Sequence, residues 1–135
     1  MSVERLEAEA RRWLVQAADD LEAAEALLAV GKNAQAAFLA QQAGEKALKA
    51  FWIRLDLEPW GHSLARLIKD LPDPERSAWL PLLEAALALD KLYIPTRYPD
   101  ALAELTPGEA YTPSEGRAAI AHARAILRSV SARLA

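Results

Sequence analysis

From Val3 to Val30, apolar and polar residues follow one another with a helical period. On a wheel of about 100° per residue, Leu6, Trp13, Ala17, Ala24 and Leu27 share a stripe, as a helix packed by one face would have them. Gly31 supplies a C-terminal stop, and Asn33 is expected to cap a second helix running to about Leu55. One face of that helix is Ala36, Ala40, Ala43, Ala47 and Ala50 with Phe51, small enough to let another helix approach closely. The opposite face collects Phe38, Gln41, Gln42, Glu45, Lys49 and Trp52. An ordinary wet face does not mix large aromatics with polar residues. Two compatible readings follow: a solvated face whose aromatics a neighbouring chain covers, or a polar pocket floored by aromatics.

All eight prolines lie beyond residue 58, so the second part of the chain is more broken. "DLEPWGHS", Asp56 to Ser63, ends the second helix with Pro59 and Gly61. A short helix is expected from Ser63 to Asp70. Asp73 is expected to cap a restart with Pro74 in its first turn. Pro81 should kink or restart a helix that continues to about Leu92. "LDKLYIPTRYPDAL", Leu89 to Leu102, reads as an irregular loop. "YTPSEG" then starts the last helix, with Thr112 as cap, Pro113 in the first position and Glu115 completing a capping box. That helix runs to about Leu134 on the stripe Ile120, Ala123, Leu127, Val130 and Leu134. No strand-like alternation, repeat or low-complexity linker is present. The expectation is an all-α, up-and-down bundle of four to five helices, in one domain over residues 1–135.

Composition narrows the function classes. A net charge of −3 argues against a strongly basic nucleic-acid surface, though it leaves room for a local basic patch. With no cysteine and two histidines, thiolate and multi-histidine metal sites are not expected, and no metal or cofactor is assigned. The N-terminus has no apolar signal core, and no apolar run approaches the ~20 residues of a membrane span. A cytoplasmic protein without a membrane partner is expected.

Several polar residues sit where the pattern does not want them. Asp20 interrupts the apolar stripe of the first helix, and a buried carboxylate is costly unless paired. It is either a rim or lysine-paired structural residue, or part of a site. Glu45 and Lys49 are four apart and share a helix face. His62 precedes the cap Ser63 and is either structural or catalytic. Pro95 and Pro99 stiffen the loop, so Arg97 and Tyr98 should be neighbours on extended backbone, pointing opposite ways. An arginine fork suits phosphate, and a tyrosine ring suits a base. Asp100 should cap a short turn over "ALAEL" or hold Arg97. The expectation is one charge-balanced network of Asp20, Glu45, Lys49 and Arg97, with Tyr98 and His62 at its rim. The alternative is a rigid loop that only closes the bundle. Four tryptophans and the aromatic-bearing polar face predict a homodimer or higher oligomer.

Three blocks carry a resemblance: the Asp20–Leu21 pair in "AADDLEAAEALL", "QQAGEKALKAF" from Gln41 to Phe51, and "YIPTRYPD" from Tyr93 to Asp100. With the "GHSL" turn between the last two, the chain resembles the HEPN domains (higher eukaryotes and prokaryotes nucleotide-binding). The resemblance implies a four- to five-helix bundle, usually dimeric. It also implies nucleotide or RNA binding and, in many members, a minimal nucleotidyltransferase partner in a toxin–antitoxin-like module. A branch of that family are metal-independent ribonucleases carrying Arg, four to six residues, then His at a cleft between subunits. Here no histidine follows Arg97 within six positions. Arg117 and His122 satisfy the spacing by letter, but within a helix they point about 140° apart. The resemblance therefore implies binding more than catalysis.

Overall fold

The computed structural model describes residues 2–135. In chain order it contains α1 (Val3–Ala29), α2 (Asn33–Arg54), α3 (Leu64–Lys69), α4 (Glu75–Trp79), α5 (Leu83–Asp90), α6 (Pro107–Ala110) and α7 (Pro113–Leu134). Single 3-10 turns occupy Leu80–Leu82 and Pro99–Ala101. No strand occurs among the described residues, and the long helices α1, α2 and α7 form the body of an all-α bundle. No described helix is long and apolar enough to cross a membrane.

The α1–α2 corner follows from Gly31, whose φ of 82° is the left-handed value a side chain resists. It lets Lys32 N–H reach the Leu27 carbonyl and Gly31 N–H reach that of Leu28, so the last carbonyls of α1 are satisfied. The expected stripe of α1 is the buried one, and Asp20 is buried within it.

α2 is the central helix. Its alanine face is fully buried as expected, and so is much of the face expected to be wet, including Gln41, Glu45 and Trp52. A Cβ on Gly44 would lie 2.7 Å from Leu64 Cδ2 and 3.0 Å from Leu89 Cδ1, so α3 and α5 press directly on the helix backbone there. Trp52 Nε1 donates to the Leu67 carbonyl of α3 at 2.9 Å. The chain's own later elements thus cover aromatics for which the sequence suggests a neighbouring chain. Trp79 is completely buried, edge-on to Phe51 at 5.0 Å. Only Trp60, at 79%, is widely exposed. The tryptophan argument for an oligomer therefore reduces to that one side chain.

Several boundaries differ from expectation. Asn33 does not cap α2; it lies within it, and its Nδ2 donates to the Tyr111 carbonyl at 3.3 Å, tying the start of α2 to the entry of α7. Burial and the nearby Glu115 carboxylate push the Tyr111 phenol above its usual range. Asp73 accepts from the side chains of Arg76 and Ser77, and Pro74 occupies the cap position of α4. Pro81 lies in a 3-10 turn, and the following helix ends at Asp90, not Leu92. Of "ALAEL" only Ala101 lies in a helical turn, the 3-10 one begun at Pro99; Thr106 and Glu109 form a capping box at α6. The Ser63 cap and the Thr112–Glu115 capping box form where the spacing puts them.

Candidate functional site

Glu45 is the hub of the polar residues on α2. Its side chain is 6% exposed and accepts from three donors: Lys49 Nζ at 3.2 Å, Gln41 Nε2 at 3.1 Å and His62 Nδ1 at 3.3 Å. Gln41 Nε2 also reaches the His62 carbonyl at 3.3 Å, and Gln42 Nε2 donates to Gln41 Oε1 at 2.8 Å. The turn before α3 is thereby fastened to α2 at both the backbone and the ring of His62. Asp90, at the end of α5, holds the other side of that turn. Its carboxylate accepts from Ser63 Oγ at 2.7 Å and from the amides of Leu64 and Ala65 at 2.6 and 3.1 Å. An acid at a helix N-terminus satisfies otherwise unpaired donors and complements the helix dipole.

The His62 ring stacks on Tyr93, with centroids 4.6 Å apart and planes 17° from parallel. Tyr93 begins the loop after α5. That loop is turned, not extended: Arg97 N–H bonds the Ile94 carbonyl at 3.1 Å, and buried Thr96 donates to the Leu92 carbonyl at 2.5 Å. The turn carries Arg97 back over Tyr93. Arg97 Nε and Nη2 both donate to the Tyr93 carbonyl, at 2.9 and 2.6 Å. The guanidinium carbon lies 4.3 Å from the Phe38 ring centroid, 4.6 Å from that of Tyr93 and 5.1 Å from that of Tyr98. A cation over aromatic faces is electrostatically favoured and held in orientation.

Of the expected network, Lys49 and His62 both contact Glu45, and Arg97 joins them through Tyr93, with Tyr98 beside it. Asp20 does not. It pairs with Lys46 Nζ at 2.5 Å and accepts from Gln16 Nε2 at 3.0 Å. Lys46 and Lys49 lie about 60° apart around α2, so Lys46 faces α1 while Lys49 faces the His62 turn. Arg97 pairs with no carboxylate among the described residues. Asp100 is exposed in the Pro99–Ala101 turn and makes no ion pair with it. Arg97 and Tyr98 do not point opposite ways: the guanidinium carbon lies 5.1 Å from the Tyr98 ring centroid. Arg117 is exposed and His122 half-buried, both inside α7, and no described contact joins them. The sequence reading missed Tyr93, whose place four residues before Arg97 is the signal for a turn-borne contact, and Asp90, which only the packing of α5 on α3 brings into play.

The Asp20–Lys46 pair is partly shielded, at 12% and 26% side-chain exposure. Asp20→Ala is expected to cost about 1–3 kcal/mol, between the exposed and buried limits for ion pairs. Thermal melts of variant and parent check this. An unchanged melting temperature would leave Asp20 no structural role.

A separate groove of about 470 Å³ between the ends of α1 and α7 is lined by Glu4, Glu7, Arg11, Leu14, Arg54 and Leu134, among others. It shares no residue with the Glu45–His62–Tyr93–Arg97 cluster.

A model of the HEPN domain matches residues 10–133, which include every residue of that cluster. The chain belongs to the HEPN domain family. Among solved structures, the HEPN chain is similar to TT1696 from Thermus thermophilus, at 43% identity and a TM-score of 0.83, covering 90% of this chain and 95% of that one. ST0689, described as an archaeal HEPN homologue, is 35% identical with a TM-score of 0.78, over 93% and 98% of the two chains. A HEPN domain protein from Thermotoga maritima, TM0613, is 30% identical with a TM-score of 0.68, over 91% and 97%. No curated protein matches the chain. The coverage in both directions means that these HEPN proteins share the fold along most of their length.

Proposed function

We propose that this HEPN domain is a binding module. It holds the phosphate of a nucleotide or nucleic acid at Arg97, offers the Tyr98 ring to a base, and partners a minimal nucleotidyltransferase in a toxin–antitoxin-like pair. The state of Arg97 carries the reading. Its guanidinium is propped on three rings and pinned to the Tyr93 carbonyl, yet it belongs to no ion pair among the described residues. Nη1 makes no hydrogen bond among them either. A cation already oriented and not neutralised accepts an anion without breaking an internal ion pair, so little of the binding energy goes into rearrangement. Tyr98 stands beside it, 48% exposed, with a face suited to stacking. The nucleotidyltransferase partner and a homodimeric state rest on the resemblance to HEPN proteins. The exposed Trp60 and Ile94 are the kind of surface such an assembly covers.

Calorimetric titration with AMP and with a short single-stranded RNA tests the reading. Arg97→Ala is expected to weaken binding about tenfold or more, the scale of a lost charge-assisted hydrogen bond, with the melting temperature near that of the parent because the side chain is exposed. Equal affinity of variant and parent overturns it. Metal-independent RNA cleavage that disappears in His122→Ala would instead favour the ribonuclease reading.

A further inference from the structure

We propose that His62 is a second phosphate-binding group of the same site, switched on by protonation, so that the domain binds a phosphomonoester such as the phosphate of AMP more tightly as pH falls. This rests on the reading of Arg97 above and adds a residue and a pH dependence to it.

The argument begins with Glu45. A carboxylate only accepts, so the proton of the Nδ1···Glu45 contact belongs to His62 Nδ1. That fixes the tautomer of the neutral ring: Nε2 carries a lone pair and repels a phosphate oxygen. When the ring takes up a proton, Nε2 becomes a charged donor. Glu45 and the Tyr93 stack already set the ring's position, so protonation changes its chemistry without requiring it to move. The ring is accessible, with 57% of the side chain exposed.

His62 and Arg97 both contact the Tyr93 ring. The His62 ring centroid and the Arg97 guanidinium carbon each lie 4.6 Å from the Tyr93 centroid. They are therefore no further from each other than about twice that distance. A phosphoryl group seated at the edge of the Tyr93 ring, accepting a hydrogen bond of about 2.8 Å from each, would join the two.

The charged surroundings of His62 are mixed. From α2 it faces the Glu45 carboxylate and, behind Glu45, the Lys49 ammonium. From the loop it faces the Tyr93 ring and, through it, the Arg97 cation. From α5, the Asp90 carboxylate is taken up by Ser63 and the first amides of α3. With no ligand, a protonated His62 adds to two nearby cations against one buried acid. A bound phosphate relieves that repulsion, so protonation and binding reinforce one another.

The test measures AMP affinity for the parent, His62→Asn and Arg97→Ala at pH 8 and pH 5.5, with adenosine as the phosphate-free control. AMP itself takes up a proton in this range, with a second phosphate pKa near 6, but that is common to all three proteins and cancels in their ratio. The parent-to-His62→Asn affinity ratio is expected to rise about tenfold from the higher pH to the lower, with no such rise for adenosine. A flat ratio while Arg97→Ala still weakens binding overturns the role of His62 and leaves the Arg97 reading intact. If Arg97→Ala binds like the parent, both fall. A matching rise for adenosine also overturns the proposal, since the phosphate would then not be what His62 recognises. A second readout needs no variant: AMP added at low pH should shift the NMR signals of the His62 ring, and adenosine should not. Unmoved His62 signals at saturating AMP overturn the proposal.

Discussion

Glu45→Ala is expected to lower the stability of the fold by about 3–5 kcal/mol, the range for removing one partner of a buried charge pair. The Glu45 carboxylate and the Lys49 ammonium are 6% and 13% exposed, so water does little to replace what is lost. The substitution strands the Lys49 cation, leaves Gln41 Nε2 with only the His62 carbonyl, and frees the His62 ring. The same change at an exposed pair such as Arg66–Asp70 is expected to cost under about 1 kcal/mol. Glu45→Gln should fall between, because its amide oxygen still accepts from Lys49 while its charge is gone. Urea denaturation of the three variants gives the ordering directly. If Glu45→Ala unfolds within about 1 kcal/mol of the Arg66 or Asp70 variants, the cluster is solvated and the description of it as a buried hub is wrong.

The second large effect lies outside the cluster. Trp79→Ala is expected to cost about 3–5 kcal/mol, as large-to-small changes of buried aromatics do. Trp79 is fully buried on Phe51, and the Arg133 guanidinium lies 4.6 Å over its ring. Its removal therefore leaves a void between α4 and α2 and loosens the end of α7. One detail makes the series informative. Trp79 Nε1 is buried without a hydrogen-bond partner among the described residues. Trp79→Phe should then cost less than its lost volume implies, since an unpaired buried N–H is itself unfavourable by about 1–3 kcal/mol. Melts of the Ala, Phe and parent proteins separate the two terms. A Phe variant as unstable as the Ala variant would mean the indole N–H is satisfied in solution.

The parts of the molecule that could be read in advance are those specified by residues close in the chain. The Gly31 stop, the Ser63 cap, the Thr112–Glu115 capping box and the Glu45–Lys49 pair each depend on a spacing of five residues or fewer. The stripe of α1 could be read for the same reason, because a helix repeats its faces regularly. What could not be read depends on how helices are rotated against one another. Asp20 meets Lys46 and not Lys49 because of where α1 sits around α2, and a shift of about 60° decides it. Asn33 is drawn from a capping role by Tyr111, 78 positions away. α2 reads as half-wet because helical periodicity reports one partner face. With α1 and α7 along its length and α3 and α5 pressed on Gly44, it has no face that a two-sided pattern describes. The Arg97 loop departs from its local signals: its prolines argue for extension, while the hydrogen bonds of Thr96 and Arg97 close it into turns.

The stretch 91–111 is anchored from outside itself. Asp90 is stapled to the start of α3 just before it, and the Thr112–Glu115 box locks α7 just after it. Within it, Thr96 is the one buried residue. A segment held this way is a cassette. Grafting a relative's surface residues onto it is expected to leave the frame that presents them folded.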